Sequence, residues 1–479
     1  MLRPYQQDAL DQIRDHFLNG HKKVLLHLAT GGGKTLIFCN ILKAAKEKGT
    51  KAMMVVRGRK LIQQASMRLD REGVDHGVIM AGHWRNRPNQ LVQLASIDTL
   101  YARRDKIQIP DCSLLVLDEA HFAIGDSFLW LINRLPNAYF LPVTATPHVK
   151  GGLRHIADTV VYPISIRELI AQKFLVAPKY FIPTKVNLAD VKVDNRTGDY
   201  IVSQLSTAME NPTLYGDMVD SYTKHAFNQP ALIFCVSVAH SKAVAELFNQ
   251  RGITAEHVDA NCTDKERNDA IGRLESGATR IITNVGILTT GVDIPCVRCI
   301  ILARPTKSYN LYIQILGRGT RPYPGKNEFV VLDHANAVEE HGFIENEREC
   351  DLDGKITINR NLGIAVCVCK QCFFAFDPTG STPFEPRNYI CPECSHDNTP
   401  PRREISERVV DTSYVMKAVE VARIEETPIQ FEIRKLTRQS FDKGYKPGWV
   451  YHKIREKHGE HEAKRYFQFV KKIYEEMKR

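Results

Sequence analysis

From residue 24 onward, short apolar runs alternate with longer amphipathic stretches. VLLHL (24–28) leads into a helix-like segment that reaches Lys48 and is closed by Gly49, and MMVV (53–56) leads into a second one. Strand-length apolar runs alternating with helical periods predict a parallel sheet flanked by helices. CSLLVL (112–117) and AYFLPV (138–143) continue the rhythm. Each is too apolar for a half-exposed strand and runs straight into polar residues, as buried strands do when their carboxyl ends carry the chemistry.

The rhythm breaks over 178–212, which holds three prolines and the polar tract DVKVDNRTGDY, and shows no long helical period until about Ile201. This predicts a connecting segment. Alternation resumes with ALIFCVSV (231–238) and runs through TRIITNV, CIILA and FVVLD, so a second α/β domain is expected. The expected division is a first domain over 1–160, a connector over 161–214, a second domain over 215–345, a cysteine module over 364–398 and a helical C-terminal region over 400–479. Length agrees: 479 residues allow about three domains of roughly 150 residues, each able to bury its own core.

With 43% hydrophobic and 25% charged residues, the composition excludes wholesale disorder and collagen-like sequence. No stretch approaches the length of a membrane span and the N-terminus lacks the apolar core of a signal peptide, so a cytoplasmic protein without membrane contact is expected. The net charge of +10 is uneven. Residues 433–479 hold 14 basic and 6 acidic side chains, leaving +2 for the other 432. A basic terminus suits a polyanion, and equally suits a solvated helical face.

VLLHL opens into Ala29-Thr30-Gly31-Gly32-Gly33-Lys34-Thr35, with a helix-like segment after it. Glycines let backbone N–H groups approach phosphate oxygens, and the helix N-terminus adds favourable partial charge. Lys34 would reach the β/γ-phosphates of ATP and the Thr35 hydroxyl would coordinate Mg²⁺. The strict pattern asks for Gly where Leu28 stands. Eighty-four residues after Lys34, Asp118-Glu119-Ala120-His121 emerges from a buried strand. Asp118 can hold Mg²⁺, and Glu119 can take a proton from attacking water.

The DEAH tetrapeptide, the A-T-G-x-G-K-T loop, Thr144-Ala145-Thr146 and Gln314-x-x-Gly317-Arg318-x-x-Arg321 together resemble superfamily 2 helicases and translocases over about residues 1–345. That superfamily's loop does not require the first Gly. The resemblance implies two tandem RecA-like parallel-sheet motor domains, with His121 and Gln314 in the catalytic set. It implies that Arg3, Tyr5 and Gln6 contact adenine, and that Thr144 and Thr146 link hydrolysis to domain movement. Thr283 would touch the nucleic-acid backbone, and Gly291 and Asp293 the nucleotide ribose. It makes Arg318 and Arg321 arginine fingers. Arg57, Gln64, Ser96 and Thr99 would grip nucleic-acid phosphates in the first domain.

Five of the twelve cysteines lie within 367–394. Cys369-x2-Cys372, eighteen residues, then Cys391-x2-Cys394 supplies four thiolates at the spacing of a structural Zn²⁺ knuckle, with Cys367 left over. The other cysteines mostly lie in apolar runs and suit a core. In the C-terminal region Trp449, Tyr451, Tyr466 and Phe467 interleave with Lys and Arg. That pattern suits stacking on nucleic acid, or packing of the tail on its own domain.

The whole arrangement looks most like RadD-type bacterial DNA repair helicases and their phage-encoded relatives. The leading expectation is therefore an ATP-dependent motor that remodels single-stranded, forked or branched DNA. The rivals are an RNA helicase, the motor subunit of a restriction complex, and an ATP-switched module recruiting a partner such as a single-strand-binding protein.

Overall fold

The computed structural model describes residues 2–120, 125–149, 151–183, 185–209, 212–346, 349–350, 352–353, 356–357, 366–379, 387–400, 428–443 and 445–477. Residues 1–399 form one unit and residues 400–479 another.

The first unit is built on two sheets. In the first sheet, β1 (Val24–His27), β2 (Ala52–Val56), β3 (Gly77–Ile79), β4 (Val92–Ser96), β5 (Leu114–Asp118), β6 (Tyr139–Thr144) and β7 (Thr159–Val161) lie in the order β3-β4-β2-β5-β6-β1-β7. Neighbouring strands are parallel throughout. β1, β2 and β4 are buried along their whole length, because helices cover both faces of a parallel sheet. Leu26 and Met54 face one core and Leu25 and Met53 the other, following the two-residue period of a strand.

The second sheet contains β8 (Ala177–Phe181), β9 (Ala231–Cys235), β10 (Ala255–Val258), β11 (Ile281–Asn284), β12 (Cys299–Ala303) and β13 (Glu328–Asp333). Further on come a short antiparallel pair, β14 (Glu349–Cys350) with β15 (Ile356–Thr357), and then β16 (Cys367–Val368) and β17 (Phe374–Phe376). The sheet order is β10-β11-β9-β12-β13-β8-β17-β16. These are the two tandem RecA-like lobes that the sequence implies.

Two expected boundaries differ. The 161–214 segment is more than a connector, because β8 pairs in parallel with β13 and belongs to the second lobe. Pro178 and Lys179 interrupt its apolar run, and β8 is fully buried only at Tyr180 and Phe181. Nor is the cysteine segment a separate bead: β17 pairs antiparallel with β8, so it prolongs the second sheet. After that lobe the chain also returns to the first. Leu352 enters a first-lobe core cluster, its carbonyl accepts from Leu153 N at 2.6 Å, and Asp353 pairs with Arg154.

The C-terminal unit contains the helices Pro428–Asp442, Pro447–His458 and Glu460–Glu476 around Ile433, Val450, Ile454, Ala463 and Val470. Trp449, Tyr451 and Tyr466 pack against that core. Three of the tail aromatics thus serve the bundle itself. Among the described residues no helix is long and apolar enough to cross a membrane.

Candidate active site

β1 ends at His27, and the chain turns through residues 28–33 into the helix Lys34–Glu47. Gly33 sits at that helix's N-cap with φ of +87°, a left-handed conformation that a side chain would strain. A Cβ there would also lie 2.3 Å from Gln6 Nε2. Gln6 and Tyr5 both donate to the Gly32 carbonyl, at 3.1 and 2.8 Å, while Gln6 Oε1 accepts from Arg3 N at 2.9 Å. Arg3 lies over the Phe174 ring at 4.2 Å, and Tyr5 packs on the same ring at 5.6 Å. The expected base-reading role of Gln6 is not what this geometry provides. Its amide is engaged within the protein, bracing the phosphate loop from behind. Phe174, which the sequence reading missed, completes this cluster.

The loop faces a cleft of about 560 Å³ between the lobes. Thr30, Gly31, Gly33, Lys34, Thr35, Asp118 and Glu119 line one wall; Gly291, Asp293, Gln314, Arg318 and Arg321 line the other. The lobes touch here, since a Cβ on Gly317 would fall 2.9 Å from Thr30 Cβ. Burial lowers the pKa of Lys34, and the Glu119 and Asp118 carboxylates act against that. Burial and then the Glu119 carboxylate push Asp118 up to about 6. Glu119 has φ of +51° and donates its N–H to Asp118 Oδ1 at 2.9 Å, holding the two carboxylates side by side. His121 lies outside the described residues.

Arg318 is buried and donates to the carbonyls of Thr289 and Val292. Burial, then Arg321, lower its pKa to about 9, which leaves it charged at neutral pH. Arg321 donates to Val292 O at 3.2 Å and pairs with Asp293. Both guanidiniums are therefore held on the second lobe's own loop 289–293 at the cleft wall. Thr35, exposed, and Asp118 offer the hard oxygen donors that suit Mg²⁺.

Thr144 and Thr146 are buried, joined by a 3.0 Å bond from Thr146 N to Thr144 Oγ1. Two residues on, His148 packs edge-on against Tyr309 at 5.1 Å, and its carbonyl accepts from Asn310 Nδ2 at 2.8 Å. Both partners sit on the helix Tyr309–Leu316, which leads directly to Arg318. His148 and its partners were missed in the sequence, although His148 stands only two places after Thr146.

The residues expected to grip nucleic acid divide. Arg57 is exposed and 3.8 Å from Asp98. Ser96 caps the helix Ile97–Ala102, and Thr99 accepts from Ala81 N at 3.3 Å. Gln64 instead donates to Gly291 O at 3.0 Å and lines the cleft between the lobes. Thr283 is fully buried, its hydroxyl donating to Ser241 O at 2.9 Å. Gln64 Nε2 and the Thr283 hydroxyl are thus each bonded to a protein carbonyl.

The four thiols Cys369, Cys372, Cys391 and Cys394 lie within 4.8 Å of one another, with Cys369–Cys394 and Cys372–Cys391 both at 3.6 Å. A tetrahedral zinc with Zn–S bonds of roughly 2.3 Å needs sulfurs about 3.8 Å apart, so the set fits the ion. Cys367 stands in β16, outside that group.

Comparison with known proteins gives two matches to family models. Residues 1–149 match "Type III restriction enzyme, res subunit", and residues 215–322 match "Helicase conserved C-terminal domain". A putative ATP-dependent helicase of Saccharomyces cerevisiae, IRC3, is 30% identical over 363 residues, covering 70% of this chain and 52% of that protein. The chain thus spans about half the length of this relative. Among solved structures, a fragment of an HsdR subunit of a type I restriction enzyme from Vibrio vulnificus superposes with a TM-score of 0.54 at 21% identity, covering 74% of this chain and 67% of that one. The type ISP restriction-modification enzyme LlaBIII, bound to DNA, gives 0.55 at 17% identity over 70% of this chain and 28% of its own. At those identities the likeness is one of fold.

Proposed function

From a chain that carries, in order, the paired domains of the superfamily 2 helicases, we propose an ATP-driven motor that translocates on DNA and remodels forked or branched intermediates in replication, recombination or repair. The observation that carries this reading is the single cleft in which one lobe's phosphate loop and paired carboxylates face the other lobe's two arginines.

In this mechanism Lys34 and the backbone amides of the loop hold the triphosphate of ATP. Thr35 and Asp118 would hold Mg²⁺, which would supply neutralisation of phosphate charge. Glu119 accepts the proton of the attacking water. Arg321 leaves Asp293, and with Arg318 stabilises charge on the transferring phosphoryl group, so turnover requires the lobes to be closed. The Thr144–Thr146 turn transmits the state of the carboxylates through His148 to Tyr309 and Asn310, and so to the helix that leads to the fingers. Cys369, Cys372, Cys391 and Cys394 would hold a structural Zn²⁺, which would tie together the segment that pairs with the edge of the second sheet.

DNA is favoured over RNA because the restriction enzymes that share this fold include one captured on DNA. The test is ATP hydrolysis measured without nucleic acid and with single-stranded, duplex and forked DNA and RNA, using Lys34→Ala as control. Stimulation by DNA above RNA supports the proposal, and a rate indifferent to every polymer refutes it. Greater stimulation by RNA would select the RNA helicase reading.

A further inference from the structure

The carboxyl edge of the first sheet is divided. β1 and β5 deliver the phosphate loop and the carboxylates, whereas β3, β4 and β2, neighbours at the other end of the sheet, deliver a second group of loops. Arg57 and Arg59 follow β2, Ser96 ends β4, and after β3 comes the loop Met80–Arg87. In this last loop Trp84 is 75% exposed, more than any other large aromatic side chain among the described residues.

A single exposed aromatic is ordinary on a protein surface. This one is held in place. The loop turns through a bond from His83 N to Met80 O at 3.2 Å, is pinned to Thr99 through Ala81 N, and is tied back to β3 by Val78 N to Arg85 O at 2.8 Å. One side of the indole is backed by Arg85, whose guanidinium lies 4.8 Å from the ring centroid and is itself fixed on Asp70 at 2.7 Å. His83 lies near-parallel at 5.9 Å. Arg57 is exposed on the adjoining loop, and Arg59 is exposed at the start of the helix Arg59–Arg71. Arg57 lies 3.8 Å from Asp98 with both side chains 59% exposed, a surface pair of the kind that is worth little.

We propose that Trp84 is a stacking platform for one unpaired base of single-stranded DNA whose phosphates cross Arg57 and Arg59. The proposal rests on the motor reading and adds to it what the first lobe recognises: a base free of its complement, as found beside a fork junction. Every base has a π-face, so such a contact gives affinity without sequence preference.

The test compares binding of fluorescently labelled oligo(dT) with that of an abasic oligomer of equal length, which keeps the phosphates and lacks the rings. Trp84→Ala should weaken oligo(dT) binding roughly 5- to 150-fold, the range of one lost stack, and leave the abasic oligomer unaffected. Trp84→Phe should restore most of the loss, and Arg57→Ala should weaken both ligands. Oligo(dT) binding that survives Trp84→Ala overturns the proposal. So does an equal loss on both oligomers, which would mean that the residue acts by folding the loop. Either result leaves the motor reading intact wherever DNA still stimulates hydrolysis in the unaltered protein, so the two failures are distinguishable.

Discussion

Replacing Arg321 by alanine separates catalysis from folding more cleanly than any other change in the cleft. Its guanidinium bonds one carbonyl and pairs with Asp293, whose side chain is 70% exposed. A pair with so open a partner is worth about 0.2–1 kcal/mol, so the variant should melt within a few degrees of the unaltered protein. As a finger, the same group supplies ~10³- to 10⁵-fold in turnover. At about 1.4 kcal/mol per tenfold, that is roughly 4–7 kcal/mol of transition-state stabilisation. The two effects differ so widely that one variant distinguishes them. Arg318 is a poorer probe, since removing its buried guanidinium strands the Thr289 carbonyl, which among the described residues it alone serves with two bonds, at about 1–3 kcal/mol. The assay is steady-state ATP hydrolysis at saturating single-stranded DNA, with melting followed in parallel. Turnover should collapse while the KM for ATP changes little, and Arg321→Lys should recover only part, because it restores charge without the planar fork. If Arg321→Ala kept turnover within about tenfold of normal, the catalytic assignment would be wrong.

Asp118 titrates near 6 in the fold, above its ordinary value of 3.8, because of burial and then the Glu119 carboxylate. The folded chain therefore binds this proton more tightly than the unfolded one, and the stability of the nucleotide-free protein should decline as pH rises between those values. Only the ionised carboxylate holds Mg²⁺, so kcat/KM should drop as pH falls through about 6. Proton and cation compete, so raising Mg²⁺ should move that midpoint downward; a midpoint indifferent to Mg²⁺ counts against the assignment. Elemental analysis should find one zinc per chain, lost in Cys372→Ser together with hydrogen-exchange protection of β17 and β8; metal-free protein that keeps that protection would refute the structural role. Alanine at Gly152 would place a Cβ 2.2 Å from Leu352 O, whereas at Gly151, also at positive φ, a Cβ meets open space. Gly152→Ala should thus lower the melting temperature more than Gly151→Ala, and equal melting would mean that the Leu352 contact contributes nothing.

The phosphate loop, the paired carboxylates and the cysteine quartet were legible because each is a local device: strand, turn and helix in one stretch, or ligands at chelating spacing. β8 was not, since APKYF carries a proline and a lysine, and its strand character comes from β13 on one side and β17 on the other. The assignments that moved share one cause. Gln6, Gln64 and Thr283 stand where the motifs put them in the chain, but a motif does not say which partner a polar atom meets. Here the Gly32, Gly291 and Ser241 carbonyls, far away in sequence, claim those atoms. Trp84 was invisible for the opposite reason, because a lone aromatic in a polar loop disturbs no periodicity and only the order of strands makes its loop a neighbour of those that carry Ser96 and Arg57. That order also separates the first lobe's two tasks. A parallel sheet gathers the carboxyl ends of its strands on one edge, and in β3-β4-β2-β5-β6-β1-β7 the loops proposed for DNA and those proposed for ATP meet at the β2–β5 boundary. The two polyanions can then be held side by side by one lobe without sharing a cation, so the second lobe can close on ATP while the first keeps its hold on the strand.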